Sequence, residues 1–238
     1  MIYVVGIGPG SLDILTYEAR KAIENSEVIV GYKMYISLIS DIIKDKEVIS
    51  NGMKQETERV KKAVEISKTG RTVTVVSSGD TGVYGMAGLV LGMANGEKVK
   101  IISGVTASTA AAAVLGAPLM HDFCHISLSD LLTPLELIYK RVETASEGDF
   151  VICFYNPRSS TRRDYLKHAF DIIKKYREKS TPVGIVKNVS RENQEYHMCT
   201  LDTMNFEIVD MTSIVIVGNS STYVKDGKMI TKRGYTLI

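Results

Sequence analysis

A glycine-rich turn near the amino terminus could bind a ligand through its backbone. Residues 6–10 read GIGPG and follow the β-branched run at 2–5, so they are predicted to join a buried strand to a helix. The third glycine of a dinucleotide fingerprint would fall at Ser11, and Pro9 removes an N–H that would contact a pyrophosphate. We therefore expect no NAD site, and a purely structural turn is the alternative to a different ligand.

Two further turns of small residues also follow predicted strands. They read SSGDTG at 77–82 and SGVTAS at 103–108. Ligands of open α/β sheets bind where strands end, and glycine lets them approach the backbone closely. Asp80 could accept hydrogen bonds from an amino or hydroxyl group. If these turns meet at one sheet edge, they predict a pocket lined mostly by backbone; the alternative is that each only shapes the chain.

Four titratable side chains lie close together in the middle of the sequence and could transfer protons. They are His121, Asp122, His125 and Asp130. His121 and His125 have the spacing of two metal ligands on a helix, but residues 124–128 are predicted to form a strand. Because there is also no clear third ligand, we expect no metal site. A structural hydrogen bond is the alternative role for each histidine.

A basic group in the second half could bind carboxylates through charge-assisted hydrogen bonds. Its members are Arg158, Arg162, Arg163, Lys187 and Arg191. The alternative is that these side chains are solvated near the start of a helix, and Arg163 is expected to point to solvent.

The alternation of strand and helix patterns predicts two α/β domains, 1–116 and 117–238, hinged at Gly116-Ala117-Pro118. In the first half, strands are predicted at 2–5, 28–30, 72–76 and 99–102, and helices at 15–25, 57–67, 84–94 and 106–115. The second half is expected to repeat the parallel scheme, with strands at 124–128, 150–155, 183–186, 195–200 and 213–217. A capping box at Thr133 with Pro134 as the first helical residue predicts one helix start, and an amphipathic pattern predicts another helix over 166–173.

The composition is that of a soluble globular protein. The 238 residues are 45% hydrophobic and 24% charged, with a formal net charge of +2. This balance does not suggest a nucleic-acid coat protein or a polybasic membrane binder. The three cysteines are far apart and are interpreted as reduced thiols. No apolar run approaches the roughly 20 residues that are needed to span a bilayer, and the first residues show no signal-peptide pattern, so we expect a cytoplasmic protein.

The motifs taken together resemble the tetrapyrrole methylase family, the class III S-adenosylmethionine-dependent methyltransferases. The resemblance covers nearly the whole chain and rests on GIGPG at 6–10, SSGDTGVYG at 77–85, SGVTA at 103–107, FYNP at 154–157, IVKN at 185–188 and IVGNSS at 216–221. Two positions depart from the family pattern, because Thr81 and Ser103 stand where the family usually has proline.

Within this family, the chain is most similar to the subgroup that methylates C-17 of precorrin-3B or cobalt-factor III and contracts the ring during cobalamin biosynthesis. This likeness rests on the segments 77–88, 117–134 and 153–162. Whether the macrocycle already contains cobalt stays open. The alternatives are another tetrapyrrole or ribosomal-RNA methyltransferase of the same fold, or a non-catalytic nucleotide-sensing module.

The resemblance implies a homodimer of chains with the tetrapyrrole methylase fold, in which two α/β domains form an interdomain active-site cleft. It implies a small-molecule tetrapyrrole substrate, no nucleic acid and no membrane. S-adenosylmethionine, which becomes S-adenosylhomocysteine, would contact Pro9, Gly79, Asp80, Thr81, Tyr84, Thr106, Ala107, Asn156, Val189 and Ser213. The proton acceptor for ring contraction would come from His125, Asp130, Asp122 and His121. Arg158, Arg162 and Lys187 would bind the substrate's carboxylates.

Overall fold

The computed structural model describes residues 1–52 and 55–234. The chain forms two compact units, Met1–Ala107 and the part from Ser108 onward. The sequence places the domain boundary after Gly116, at the other end of the helix in which this division falls. Two α/β units are thus present, and each is described by itself below.

Over residues 1–52 and 55–107, the first unit contains five strands and four α-helices. Their bounds are β1 (Ile2–Gly6), α1 (Tyr17–Glu24), β2 (Val28–Tyr32), α2 (Lys33–Leu38), β3 (Glu47–Asn51), α3 (Glu56–Lys68), β4 (Val73–Ser77), α4 (Ala87–Met93) and β5 (Val99–Ile102). Short 3-10 turns occupy Leu12–Ile14 and Ser40–Ile42. The strand order is β3-β2-β4-β1-β5, and every pair is parallel, which confirms the predicted parallel sheet.

The inner strands β1, β2 and β4 of this sheet are apolar because helices cover both of its faces. On β1, Val4 packs into a cluster with α3 and α4, whereas the next residue, Val5, packs into a cluster with α1. The edge strand β3 was not predicted, because its side chains are exposed or half-buried and it lacks a buried apolar run. The α2 helix was also missed.

The second unit contains eight strands and two further helices, together with helix α5, which begins at the last residue of the first unit. Their bounds are α5 (Ala107–Leu115), β6 (Gly116–Ala117), β7 (Phe123–Ser127), α6 (Leu135–Glu147), β8 (Val151–Tyr155), α7 (Tyr165–Ile173), β9 (Pro182–Lys187), β10 (Glu195–Thr200), β11 (Ser213–Val217), β12 (Thr222–Lys225) and β13 (Lys228–Thr231). A 3-10 turn occupies Phe206–Ile208.

The main sheet of the second unit is mixed, so the prediction of a second parallel sheet is wrong. Its order is β10-β9-β11-β8-β7, and only β7 and β8 pair in parallel. The strand β11 runs antiparallel to both β8 and β9, and β10 runs antiparallel to β9. The physical reason is visible in the short connection at 188–194, which has no room for the helix that a parallel crossover needs.

Helix α6 begins near the predicted position, but without the predicted capping box. Its N-cap is Pro134, and no side chain caps the helix there. The carbonyl oxygen of Pro134 accepts the first helical hydrogen bonds, from Leu137 and Ile138, so the proline lies before the helix and not inside it. Among the described helices, none combines the length and apolarity needed to cross a membrane.

The core of the second unit is built around fully buried aromatic and aliphatic side chains, among them Phe154 and Phe170. The three cysteines are free thiols, as predicted. Burial raises the pKa of Cys124 to about 11, so this thiol stays protonated at neutral pH.

A tight contact joins β9 to α5 inside the second unit. A Cβ atom added to Gly184 would lie 2.3 Å from Cδ1 of Leu115, so the leucine fills the space above the glycine. We predict that Gly184→Ala lowers the free energy of unfolding by about 1–3 kcal/mol through overpacking. Leu115→Ala removes the clash as well as a buried side chain, so the double variant should lose less than the sum of the two single losses. Urea unfolding measures all three, and simple additivity would contradict this packing.

Candidate active site

Three glycines from the three predicted turns lie in direct backbone contact. A Cβ atom on Gly104 would lie 2.2 Å from the carbonyl oxygen of Gly79 and 2.6 Å from the carbonyl carbon of Gly6. A Cβ atom on Gly6 would lie 2.5 Å from the backbone nitrogen of Gly104. The strands β4, β1 and β5 are neighbours and all parallel, so their carboxyl ends bring the turns to one sheet edge.

Hydrogen bonds hold the three turns in this arrangement. Gly79 N–H donates to Gly8 O at 2.8 Å, and Gly8 N–H donates to Gly79 O at 3.1 Å. The carboxylate of Asp80 accepts from the N–H of Gly82 at 2.7 Å with one oxygen and from the N–H of Gly104 at 2.9 Å with the other. Asp80 therefore joins the second turn to the third, a role that the sequence did not reveal. Its predicted contact with the methyl donor stays a prediction.

The second turn carries a buried polar atom that suits a ligand. Thr81 is 1% exposed, and its hydroxyl oxygen has no hydrogen-bond partner within the described part of the chain. A buried hydroxyl without a partner is costly, so a group bound beside it would gain a hydrogen bond. The turn ends at Tyr84, which is 55% exposed and has a φ of 55°. Helix α4, predicted from residue 84, therefore starts only at Ala87.

The other residues predicted to bind the donor in the first unit lie beside these turns. Pro9 is buried in the first turn, whereas Thr106 and Ala107 are half-buried, between β5 and the start of α5. Seven of the ten predicted donor contacts thus fall in the first unit, at the carboxyl edge of its sheet.

The remaining three, Asn156, Val189 and Ser213, lie at one edge of the mixed sheet. Because β11 is antiparallel to both β8 and β9, the carboxyl ends of β8 and β9 share an edge with the amino end of β11. Asn156 follows the end of β8, Val189 follows the end of β9, and Ser213 is the first residue of β11. The side chain of Val189 is 4% exposed and that of Ser213 is used internally, donating a hydrogen bond to Asp210.

The turns at this edge hold several residues in the left-handed region. Asn156, Asn188 and Ser190 have φ values of 51°, 48° and 61°. Asparagine tolerates this conformation, but serine does so less readily, and such residues are enriched at binding sites. The Nδ2 of Asn156 also donates to the Ser127 hydroxyl at 2.9 Å, which connects the ends of β8 and β7. Asn188 and Ser190 were not among the predicted site residues.

His125 belongs to a small hydrogen-bonded group in the second unit. Its Nε2 lies 2.8 Å from the hydroxyl oxygen of Ser108, and its ring packs edge-on against Tyr155 with centroids 5.3 Å apart. The N–H of Ser108 donates to the Tyr155 hydroxyl oxygen at 3.0 Å, which satisfies a backbone donor at the start of α5. Burial lowers the pKa of His125, so its imidazole is neutral at neutral pH and can accept a proton.

The structure does not bring the other three titratable candidates into this group. Asp130 accepts a hydrogen bond from the Tyr165 hydroxyl at 2.8 Å, and this bond lowers the pKa of the carboxyl group. His121 and Asp122 precede β7 and are exposed, whereas Asp130 follows it. The strand separates the two ends by roughly 16 Å, at about 3.3 Å per residue. Across residues 1–52 and 55–234, no three His, Cys, Asp or Glu side chains form a metal-ligand group.

The basic residues differ in whether acidic side chains of the protein already neutralise their charge. Arg158 donates to both carboxylate oxygens of Glu207, at 2.9 and 2.8 Å, and Lys187 pairs with Asp210 at 3.2 Å. Arg162 is buried at 8% exposure. Arg163 is exposed, as expected, and Arg191 is half-buried.

Four members of these networks were not predicted from the sequence: Ser108, Ser127, Tyr155 and Tyr165. Tyr155 carried a usable signal, because it stands at the end of a strongly apolar strand. Ser108 and Tyr165 carried none, since their partners are distant in the sequence.

Comparison with known proteins identifies the family of this chain. The family described as Tetrapyrrole (Corrin/Porphyrin) Methylases matches residues 1–205. The chain therefore belongs to the tetrapyrrole methylase family.

Two curated relatives and two solved structures define the similarity further. A "Probable cobalt-factor III C(17)-methyltransferase" of Salmonella typhimurium is 55% identical over 100% of both chains. A "Precorrin-3B C(17)-methyltransferase" of Sinorhizobium sp is 35% identical over 95% of this chain and 92% of the relative. The crystal structure of the methyltransferase CobJ has a TM-score of 0.92 at 35% identity, covering 97% of this chain and 99% of that one.

The second structure is a uroporphyrin-III C-methyltransferase of Thermus thermophilus, complexed with S-adenyl homocysteine. It has a TM-score of 0.69 at 18% identity and covers 91% of both chains. This likeness shows the fold.

The glycine contact generates a test with a matched control. In Gly104→Ala the new methyl group would overlap the backbone of Gly79, so the turns must separate, and we expect the affinity for S-adenosylhomocysteine to fall about ten-fold or more. Gly88→Ala is the control, because a Cβ atom there meets nothing within 4 Å. Calorimetry measures the affinity of both variants for S-adenosylhomocysteine. Equal affinities in Gly104→Ala and Gly88→Ala would contradict a role of the glycine contact in binding.

Proposed function

We propose that this chain transfers a methyl group from S-adenosylmethionine to C-17 of a tetrapyrrole macrocycle, with contraction of the ring, in cobalamin biosynthesis. The observation that carries the proposal is the 55% identity, over the full length of both chains, to a relative named as a probable cobalt-factor III C(17)-methyltransferase. The identity to the precorrin-3B relative is lower, at 35%, which favours the cobalt-containing macrocycle as the substrate.

The donor-side residues fit S-adenosylmethionine. The unpartnered hydroxyl of Thr81 offers a hydrogen bond, and the backbones at Gly79 and Gly82 allow close approach. The proposed contacts are the predicted ten: Pro9, Gly79, Asp80, Thr81, Tyr84, Thr106, Ala107, Asn156, Val189 and Ser213. Bound there, S-adenosylmethionine supplies a methyl group that its own positive charge already activates.

The chain's residues then have mainly to orient the two reactants and to exclude water. This agrees with turns that rely on backbone contacts and buried side chains, in which the Asp80 carboxylate serves to hold two turns together. The turns should move little when a ligand binds, because Asp80 and the contact between the glycines already hold them in place.

Ring contraction also requires a group that accepts a proton, and His125 is the best placed of the four candidates. Its imidazole is neutral, half-buried and fixed by Ser108. Asp130 is a weaker base, because its hydrogen bond from Tyr165 lowers its pKa. Asp122 and His121 are exposed at the opposite end of β7. We assign the proton-accepting role to His125.

The substrate's peripheral carboxylates are proposed to bind Arg158, Arg162 and Lys187. Arg158 and Lys187 would exchange Glu207 and Asp210 for the substrate, or share them, whereas Arg162 has donors to spare. We also propose a cytoplasmic homodimer that binds neither nucleic acid nor membrane. The near-neutral net charge of +2 and several exposed large apolar side chains support this proposal.

The buried hydroxyl of Thr81 gives a sharp prediction about donor binding. Thr81→Val keeps the shape of the side chain and removes an oxygen that has no partner in the described protein, so the thermal midpoint should not fall. The dissociation constant for S-adenosylhomocysteine should rise about five-fold, the equivalent of one neutral hydrogen bond. Thr81→Ser keeps the hydroxyl and serves as the control. If valine and threonine bind the ligand equally well, the hydroxyl does not face the donor.

A direct assay tests the reaction and its substrate. The protein is incubated anaerobically with methyl-labelled S-adenosylmethionine and with cobalt-factor III, precorrin-3B or ribosomes in turn. We expect label only in the macrocycle, more rapidly in cobalt-factor III, with a gain of one methyl group by mass. Label in ribosomal RNA, or binding of the donor without transfer to either macrocycle, would contradict the proposal.

A further inference from the structure

Arg162 in the second unit is a buried cation with one edge of its guanidinium left unused. On one side, Nη1 donates to the Ser129 hydroxyl at 3.0 Å and lies 3.5 Å from an oxygen of Asp130. On the other side, Nη2 reaches only the sulfur of Met211, at 3.7 Å. Nε is buried and has no partner among the residues that the structure describes.

The unused edge is the one that suits a carboxylate. Nε–H and Nη2–H point in the same direction, and together they form the fork that binds the two oxygens of a carboxylate side by side. A thioether sulfur is a weak acceptor on a flexible side chain, so it is readily displaced by a charged acceptor. Met211 is 41% exposed, which leaves its side chain room to move.

A second buried arginine shows what a structural guanidinium looks like in the same unit. Arg177 is also 8% exposed, and its Nε is likewise buried without a partner among the described residues. The difference lies in the terminal nitrogens, because both of those of Arg177 donate to backbone carbonyls, at Ala145, Phe150 and Gly218. These bonds join three separate segments. Arg162 instead contacts side chains of one loop and one methionine, so its contacts leave it available to a ligand.

The loop that follows β7, beside Arg162, exposes two apolar side chains, and hydrogen bonds hold its first residues in place. Asp130 accepts the Tyr165 hydroxyl at 2.8 Å while its other oxygen faces Arg162, so the start of the loop is held to α7. The next two residues, Leu131 and Leu132, are 65% and 98% exposed. Two exposed leucines on a fixed turn next to a buried cation are unusual on a soluble surface.

We propose that Arg162 and the Leu131-Leu132 tip form a subsite that positions the macrocycle. This inference rests on the proposed function, because a tetrapyrrole joins an apolar ring to a rim of carboxylates. The Nε–Nη2 edge takes one peripheral carboxylate in place of the Met211 sulfur, and the leucines cover the apolar ring. Asp130 does not oppose the carboxylate, since it occupies the opposite edge of the guanidinium and accepts from Tyr165.

The positive charge of Arg162 beside the Leu131-Leu132 tip indicates which ligand binds there. A partner that offered only an apolar surface would leave the Nε–H of Arg162 unsatisfied, whereas a carboxylate on an apolar body satisfies both features. A second copy of the chain is the competing occupant, and the measurements below separate the two.

The first test uses Leu132, whose side chain is 98% exposed and packs into no core of its unit. Leu132→Ser is compared with Leu91→Ser, a control at a leucine of α4 that is 54% exposed. We expect Leu132→Ser to weaken cobalt-factor III binding about ten-fold, as measured by absorbance titration, because a covered leucine returns to water. Leu91→Ser should bind as the wild type does. Affinity for S-adenosylhomocysteine should be unchanged in both variants.

The second test asks whether Arg162 recognises a carboxylate. Arg162→Lys keeps the positive charge and removes the fork, so it should weaken binding of cobalt-factor III about ten-fold or more. The methyl ester of the same macrocycle should bind to wild type and Arg162→Lys with equal affinity. A merely structural role would weaken acid and ester alike. If Arg162→Lys fails to fold, Leu132→Ser still decides.

The remaining outcomes overturn the proposal in distinguishable ways. Unchanged macrocycle affinity in Leu132→Ser, together with a changed sedimentation coefficient, would assign the tip to a contact between copies. Unchanged affinity and unchanged sedimentation would remove the tip from any interface. If the wild type binds S-adenosylhomocysteine but neither macrocycle, the proposed function itself fails. If the wild type methylates the macrocycle and the variants match it, only the subsite fails.

Discussion

The close approach of three glycine backbones is the constraint on which the proposed donor site depends. Gly6 and Gly104 leave no room for a side chain between the turns that follow β1, β4 and β5, and Gly79, which they contact, has a φ of 67° that favours glycine. Parallel strand order brings the turns to one edge, but only glycine lets them touch, and Asp80 then holds two of them through backbone N–H groups. The result is a rigid, backbone-lined edge with one buried hydroxyl, at Thr81, left to bind something else.

The second unit also brings several strand ends to one edge of its sheet, although its strands are arranged differently. Its sheet is mixed, yet the carboxyl ends of β7, β8 and β9 still meet at one edge, because β11 is antiparallel to both β8 and β9 and β7 is parallel to β8. Polar side chains therefore gather there: the His125 group, the Asn156 turn and the Arg162 loop. The candidate site residues of the first unit offer mainly backbone groups, whereas those of the second unit are titratable and charged side chains. That division suits a reaction in which one ligand is already activated and the other carries many carboxylates.

The sequence predicts most of the strands and the position of the three glycine turns, since β-branched runs and glycine clusters are local signals. The sequence does not predict features that depend on residues far apart in the chain. The direction of β10 and β11 depends on connection length, the edge strand β3 has no buried face, and the cap of α6 depends on which carbonyl the helix uses. The candidate site was predictable as a set of segments but not as a set of contacts. Nothing near Ser108 indicates His125, and nothing near Asp80 indicates Gly104, because folding alone brings them together.

A crystal structure of the protein with S-adenosylhomocysteine bound would test the proposed donor site most directly. We expect the ligand to contact the backbone of residues 79–82 and to place one of its polar atoms within hydrogen-bond distance of the Thr81 hydroxyl, at about 2.7–3.2 Å. The three glycines should keep their mutual contact in the complex. A ligand bound away from these turns, or a Thr81 hydroxyl that remains without a partner, would contradict the proposed site.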